Sequence, residues 1–272
     1  MREFEVPAGY TIPADESMAD TIFRYAAESP ELVLFHKPKP DGGWSEITAG
    51  EFASHVTAVA KGLIASGIAP GDRVALMSAT RYEWVLIDYA IWTAGAVTVS
   101  IYDSSAAEQV KWILEDSAAT LLIVETDKHA DTVKDVAAAA PELRETLVIN
   151  GGAVDELIAR GAAVSDDDVQ ARREALGAQS PATLIYTSGT TGRPKGVALT
   201  HANFRGEVEA VKIALATYFK PGHKTLMFLP LAHVFARAIS VGAVEAGVAV
   251  AHTSDWTTLV DQFGAFKPTF IL

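Results

Sequence analysis

Arg73-Val74-Ala75-Leu76-Met77-Ser78, Ala96-Val97-Thr98-Val99-Ser100-Ile101 and Thr120-Leu121-Leu122-Ile123-Val124-Glu125 are three short apolar runs set apart by segments of helical length. Each run reads as a strand. Thr80 to Ala94 reads as a helix with a Thr80/Glu83 capping box and a core face of Trp84, Ile87, Ile91 and Ala94. Ser105 and Glu108 are placed to cap a second helix through Leu114. A helix over Lys128–Ala139 and a strand over Thr146–Ile149 continue the alternation. Strands separated by helices of this length form parallel βαβ units, with helices covering the sheet faces.

Upstream, Leu32–His36 and Trp44–Ile47 flank the turn-rich Pro38–Gly43 and read as a hairpin. A helix follows, with Thr48 and Glu51 at capping-box spacing and Phe52, Val56, Val59 and Leu63 on one face; Gly67 stops it and Pro70-Gly71 turns the chain. Downstream, Val154–Leu176 is polar and reads as two helical pieces. Its acidic run Asp166–Asp168 follows Ser165 and fits a helix start, where the dipole favours carboxylates, with a metal role as the alternative.

After Ser180-Pro181 the alternation restarts. Ala182–Tyr186 reads as a strand, followed by a Gly/Ser/Thr-rich loop, a short strand Val197–Leu199 and a helix His201–Thr217. Strands Thr225–Leu229 and Val248–His252 bracket a helix Val234–Val244, and a helix Trp256–Ala265 follows. The expected fold is α/β: two stacked, mainly parallel sheets with helices between and outside, layered α/β/α/β/α. The expected subdivision is 1–70 for the opening hairpin and helix, 71–180 for the first sheet, and 181–272 for the loop and the start of the second sheet near Ala182. Thr269–Leu272 reads as the beginning of a further strand, so the chain end reads as a truncation.

The chain has 272 residues, 49% of them hydrophobic, and 22 basic against 34 acidic residues give a net charge of −12. Intrinsic disorder is excluded as the main state. An acidic balance argues against nucleic acid as a partner, while a local site can still hold a small anion. No cysteine is present, which excludes disulfides, thiolate zinc sites and a cysteine nucleophile. His36, His55, His129 and His223 lack metal-ligand spacing with acidic neighbours, so no zinc is expected. Met1–Glu5 shows no secretory pattern, and the longest uncharged stretch, Tyr89–Tyr102, is too short to span a bilayer. The expectation is a cytoplasmic chain without a transmembrane segment, with peripheral membrane contact left open.

The chemistry concentrates in Tyr186-Thr187-Ser188-Gly189-Thr190-Thr191-Gly192-Arg193-Pro194-Lys195-Gly196. Hydroxyls occupy four of the five positions from 187 to 191, glycines interrupt them, and a lysine follows. Gly189, Gly192 and Gly196 permit positive φ and close backbone approach. Convergent N–H groups, hydroxyls and a compact cation suit a nucleotide polyphosphate. The order differs from the Walker A pattern, because Gly196 follows Lys195 where that pattern needs Ser or Thr. A dinucleotide fingerprint is also absent, since the first strand leads into Met77-Ser78-Ala79-Thr80 without glycine.

Tyr186–Gly196 resembles the phosphate-binding signature of the adenylate-forming (AMP-binding) enzymes: acyl-CoA synthetases, luciferases and peptide-synthetase adenylation domains. Gly71–Leu76, Ala94–Val97 and Leu229–His233 are similar to further segments of that family. Ser78–Trp84, Ile101-Tyr102 with Ser104–Gln109, and Leu229–Arg237 look like its long-chain fatty-acid–CoA ligases. The resemblance covers essentially everything after about residue 17.

What the resemblance implies is an N-terminal part of an acyl-CoA synthetase large domain. The implied reaction activates a fatty carboxylate with ATP to an acyl-adenylate and pyrophosphate, then transfers the acyl group to the CoA thiol. ATP, Mg²⁺ and coenzyme A are the implied cofactor and co-substrates. Thr187, Ser188, Gly189, Thr190, Thr191, Gly192 and Lys195 are the expected nucleotide-binding residues, Thr187 helping to hold Mg²⁺. Lys195 and His233 are the expected catalytic residues; a hydrogen-bonded packing role is the alternative for His233. Arg237 is read either as a phosphate or carboxylate partner or as an exposed or ion-paired structural residue, and Trp84, Trp92 and Trp112 as core.

Family members run to roughly twice this length, beyond one ordinary domain. Their Tyr-Gly-x-Thr-Glu motif, ribose-binding aspartate and mobile C-terminal domain with its lysine are not in the sequence. The chain alone is therefore expected to be inactive. Two other readings stay open: an adenylate-forming ligase for a medium-chain, aryl or amino acid, and a non-catalytic nucleotide-binding protein.

Overall fold

The computed structural model describes residues 8–39, 43–187 and 193–271. The elements are α1 (Asp20–Glu28), β1 (Val33–Pro38), β2 (Trp44–Thr48), α2 (Ala49–Ala65), β3 (Arg73–Met77), α3 (Tyr82–Thr93), β4 (Val97–Ile101) and α4 (Ala107–Ser117). They continue with β5 (Leu121–Val124), α5 (Asp127–Ala139), β6 (Glu145–Val148), α6 (Ala153–Arg160), α7 (Asp166–Glu174), β7 (Pro181–Thr187) and β8 (Lys195–Thr200). The last are α8 (His201–Ala214), β9 (Lys224–Met227), α9 (Val234–Glu245), β10 (Ala249–His252) and α10 (Leu259–Phe266).

A six-stranded sheet runs in the order β6-β5-β3-β4-β7-β8, parallel throughout except for the antiparallel β7–β8 pair. A four-stranded sheet runs β2-β1-β10-β9, parallel except for the β1–β2 hairpin. The period of two along the strands builds the layers. Val74, Leu76, Leu121 and Ile123 face inward, into one cluster with α2, α3, α9 and the Leu34, Phe35 and Val250 side chains of the smaller sheet. Their alternates Ala75, Met77, Leu122 and Val124 face outward, onto α4 and α5. On the far side of the smaller sheet, Leu226 and Ala251 pack against Phe266 of α10. The result is the layered α/β/α/β/α arrangement expected from the alternation.

Several local expectations are met. Thr48 and Glu51 make their capping box, and Phe52, Val56, Val59 and Leu63 are fully buried. Ser165 and Asp168 cap α7, which places the acidic run at a helix start, with Asp166 paired to Lys61 at 2.7 Å.

Others need correction. The strand at Pro181 does not open the second sheet: β7 pairs with β4 (Thr98↔Thr183) and extends the first. The second sheet is instead built from the N-terminal hairpin and the late strands β9 and β10. Alternation alone does not say which sheet a returning strand joins. Helix α3 begins at Tyr82 with Arg81 as its cap, because the Thr80 hydroxyl is engaged elsewhere. Helix α4 is capped at Ala106, whose N–H donates to Gln109. Thr269–Ile271 is not a strand; Thr269 donates its N–H to Lys224 at the β9 edge, and Leu272 lies outside the described residues.

Gly62 sits inside α2, where glycine costs helix stability. The reason is contact: a Cβ there would lie 2.0 Å from the Leu157 carbonyl oxygen of α6. Gly62→Ala forces the two helices apart and is expected to lower stability by about 1–3 kcal/mol. Urea unfolding measures this; an unchanged midpoint would contradict the close backbone contact.

Candidate active site

Parallel sheets present ligand contacts beyond the carboxyl ends of their strands. Strand β7 ends there at Thr187, and β8 returns from Lys195. The two residues are cross-strand partners and both are exposed, so the hydroxyl and the ammonium stand at the mouth of one hairpin. Ser188, Gly189, Thr190, Thr191 and Gly192 lie between them, outside the described residues. Behind the mouth, Gly196 faces Tyr186, and a Cβ at Gly196 would meet the phenol ring at 3.0 Å. Close approach is what glycine provides at this position.

A cleft of about 400 Å³ opens beside the hairpin. Thr187, Tyr186, Tyr102, Ser105 and Gln109 line one part and His233 and Val234 another. Thr187 and His233 therefore share a cavity, whereas Lys195 is not among its lining residues.

His233 is exposed and caps α9, its Nδ1 accepting the Phe235 N–H at 3.2 Å. Accepting through Nδ1 leaves the proton of the neutral ring on Nε2. The turn carrying His233 is tied to the larger sheet by two hydroxyls. Thr80 Oγ1 donates to the Leu229 carbonyl (2.6 Å) and accepts the Leu231 N–H (3.2 Å). Ser100 Oγ donates to the Ala232 carbonyl at 3.3 Å. The Ser78–Thr80 turn is in turn held by Glu125, which accepts the Ala79 N–H at 2.8 Å. Beside it, burial would raise the Glu83 pKa, but hydrogen bonds from Lys37 and Arg81 outweigh burial and hold it at about 2.

Arg237 takes the structural of its two readings. It is fully buried, forks onto both Asp88 oxygens (2.9 and 2.5 Å) and donates to Thr183 Oγ1. Trp84, Trp92 and Phe204 surround the guanidinium at 5.1–5.3 Å from their ring centres. Burial raises the Asp88 carboxyl and lowers the guanidinium, each opposed by the partner's charge. This pair joins α9, and so His233, to α3 and β7.

Trp84 and Trp92 are core, as read. Trp112 is not: it is half-buried, its Nε1 donates to the Pro194 carbonyl at 2.8 Å, and Arg193 lies 4.7 Å over its ring. Nothing in local periodicity distinguishes such a tryptophan from a core one. Nor does local sequence signal the roles of Thr80 and Ser100 beneath the His233 turn, because their partners lie 149 and 132 residues away.

A family model described as AMP-binding enzyme matches residues 22–272. The chain belongs to the AMP-binding enzyme family. Within that family it is 45% identical over 275 residues to the long-chain-fatty-acid–CoA ligase FadD15 of Mycobacterium tuberculosis, covering 100% of this chain and 46% of the relative. It is 34% identical over 241 residues to the peroxisomal long chain acyl-CoA synthetase 7 of Arabidopsis thaliana, covering 84% of this chain and 34% of the relative. The chain thus spans less than half the length of these AMP-binding relatives. Among solved structures, the N-terminal domain of FACL13 from Mycobacterium tuberculosis matches with a TM-score of 0.74 at 26% identity, over 91% of this chain and 60% of that one. The long-chain-fatty-acid–CoA ligase FadD1 from Archaeoglobus fulgidus matches with a TM-score of 0.81 at 23% identity, over 99% of this chain and 54% of that one, a likeness of fold.

Proposed function

We propose that this chain carries the N-terminal part of the large domain of an ATP-dependent long-chain fatty-acid–CoA ligase. The observation that carries the reading is the pairing of Thr187 with Lys195 at the carboxyl end of a parallel sheet, beside a cleft that Thr187 shares with His233. The identity to ligases of that name supports the choice of acid.

In the proposed reaction a carboxylate oxygen bonds to the α-phosphorus of ATP as the bond to the pyrophosphate oxygen breaks. The CoA thiol then loses its proton to water, its sulfur bonds to the acyl carbon, and the bond from that carbon to the phosphate oxygen breaks as AMP leaves. A carboxylate is already ionised at neutral pH, so the first step asks for charge neutralisation and alignment rather than a strong base. Lys195 and the hydroxyls of Thr187, Ser188, Thr190 and Thr191, with Gly189 and Gly192 among them in the sequence, would bind the β- and γ-phosphates. His233, with its Nε2 proton free, would border the acyl group and the approaching thiol.

A magnesium ion fits as a companion of the nucleotide. The described residues contain no group of three or more His, Asp or Glu able to hold a metal by themselves, and Mg²⁺ commonly binds through substrate phosphates with few protein ligands. Thr187 would supply one oxygen, and the ion would neutralise phosphate charge. No helix among the described residues is long and apolar enough to cross a membrane; a cytoplasmic setting is part of the proposal.

The experiment takes the protein encoded by the complete reading frame containing residues 1–272. With ATP, magnesium and CoA it is expected to release pyrophosphate with long-chain acids in preference to medium-chain, aryl or amino acids. Preference for another acid would replace the substrate, and failure with every acid would sink the proposal. In the same protein, His233→Ala is expected to impair thioester formation or acid use by about 10–100-fold, while the fold survives with only the loss of about 1 kcal/mol that goes with one helix cap. Loss of fold with full activity of the folded fraction would return His233 to a purely structural role.

A further inference from the structure

Helix α4 borders the cleft through Gln109, and two further side chains on it, Trp112 and Asp116, one turn apart, hold opposite legs of the Thr187–Lys195 hairpin. On the returning leg, Trp112 Nε1 donates to the carbonyl of Pro194, the residue before Lys195. On the outgoing leg, Asp116 Oδ2 accepts the Tyr186 hydroxyl at 2.6 Å, the residue before Thr187. Between the legs the Tyr186 ring rests against Gly196, so displacing the ring would displace both strands.

The helix is itself fixed to the middle of the larger sheet. Arg73, the first residue of β3, donates Nε to the Ser117 carbonyl (2.7 Å) and Nη2 to the Ala118 carbonyl (3.1 Å). A chain of directional contacts therefore runs from β3 through the end of α4 to both residues that immediately precede the proposed phosphate-binding groups. Packing alone would need only apolar rings at 112 and 186. A donor on one leg and an acceptor for the other fix direction and register, which packing does not.

We propose that α4 is a clamp on the polyphosphate-binding hairpin, with Trp112 and Asp116 as positioning residues that set the spacing of Thr187 and Lys195 before ATP arrives. The inference rests on the reading of that hairpin as a polyphosphate site. Donors already held in place avoid the ordering cost of binding, so the clamp acts on ATP capture and adenylation and is silent once pyrophosphate has left.

The test uses the ligase from the complete reading frame, with two readouts: direct titration with Mg·ATP and with inorganic tripolyphosphate, and the two half-reactions measured separately. Trp112→Phe keeps an aromatic ring beneath Arg193 and loses the Nε1–H donor together with part of the indole ring. Asp116→Ala loses the acceptor, and Asp116→Asn keeps one. Trp112→Phe and Asp116→Ala are each expected to weaken tripolyphosphate binding and raise the ATP KM about tenfold, with thioester formation from supplied acyl-adenylate within about twofold of wild type. Asp116→Asn should restore most of the loss. The double variant should fall short of the product of the singles, because both act on one hairpin.

Unchanged ATP KM and tripolyphosphate affinity in both variants would overturn the clamp, as would equal slowing of both half-reactions. If Asp116→Ala does not fold, Trp112→Phe decides alone. A wild type that binds tripolyphosphate without turning over any acid would refute the ligase reading and leave the clamp to the binding data. A wild type that binds no polyphosphate overturns both.

Discussion

Lys195→Ala, placed in the protein encoded by the complete reading frame, is expected under the proposed function to slow acyl-adenylate formation by roughly 10²–10³, or about 3–4 kcal/mol of transition-state stabilisation. Thioester formation from supplied acyl-adenylate should be nearly untouched. The asymmetry follows from the proposed chemistry: charge would build on the departing pyrophosphate in the first step, and pyrophosphate would be absent from the second. Lys195 is exposed at the mouth of the hairpin, so its removal should leave the fold intact. Thr190→Ala should show the same pattern in weaker form, through the loss of one neutral donor. Quenched-flow measurement of both half-reactions gives the answer. Equal slowing of both would remove the proposed role of the segment.

Arg237→Ala should have the largest effect on stability. It leaves the Asp88 carboxylate in the central layer with Thr98 as its remaining side-chain donor. Breaking a buried ion pair on one side costs about 3–5 kcal/mol, most of it from the charge left behind. Asp88→Ala strands the guanidinium and should cost a similar amount. Replacing both by apolar residues should recover much of the loss, since the desolvation penalty then disappears as well. Arg237→Lys should fall in between, because an ammonium cannot fork across both Asp88 oxygens and still reach Thr183. Urea unfolding of the four variants tests this. A loss below about 1 kcal/mol for Arg237→Ala, the range of an exposed ion pair, would show that water reaches the pair.

The layers and most element positions are readable from strand alternation, capping residues and turn signals, because these depend on neighbours within a few residues. The Thr48/Glu51 box and the Ser165 cap succeed for that reason. Thr80 fails for the complementary one: it has the spacing of a cap, yet a partner 149 residues away takes its hydroxyl. Sheet membership of β7 fails similarly, since strand order is a property of the assembled fold. For the site, the hydroxyl-rich segment is legible from composition and order. The supports beneath it are not. Arg237 is ambiguous until Asp88 is seen beside it, and Trp112 reads as an ordinary apolar helix residue until its N–H is found on Pro194.

The smaller sheet joins Phe35 to Val250, residues 250 − 35 = 215 apart in the chain. On the ribosome, at about 5–20 residues per second, the β1–β2 hairpin would wait roughly 10–40 s for β10, its parallel neighbour. For that interval β1 has one unpaired edge carrying Leu34 and Phe35. Helices and strands from Arg73 to Val148 can meanwhile pair with near neighbours and assemble without delay. The order of synthesis therefore makes the hairpin the part of the nascent chain most exposed to mispairing and most in need of a chaperone. Late substitutions that weaken β9 or β10 should show first as poor yield of folded protein, before any loss is seen in the stability of molecules that have folded.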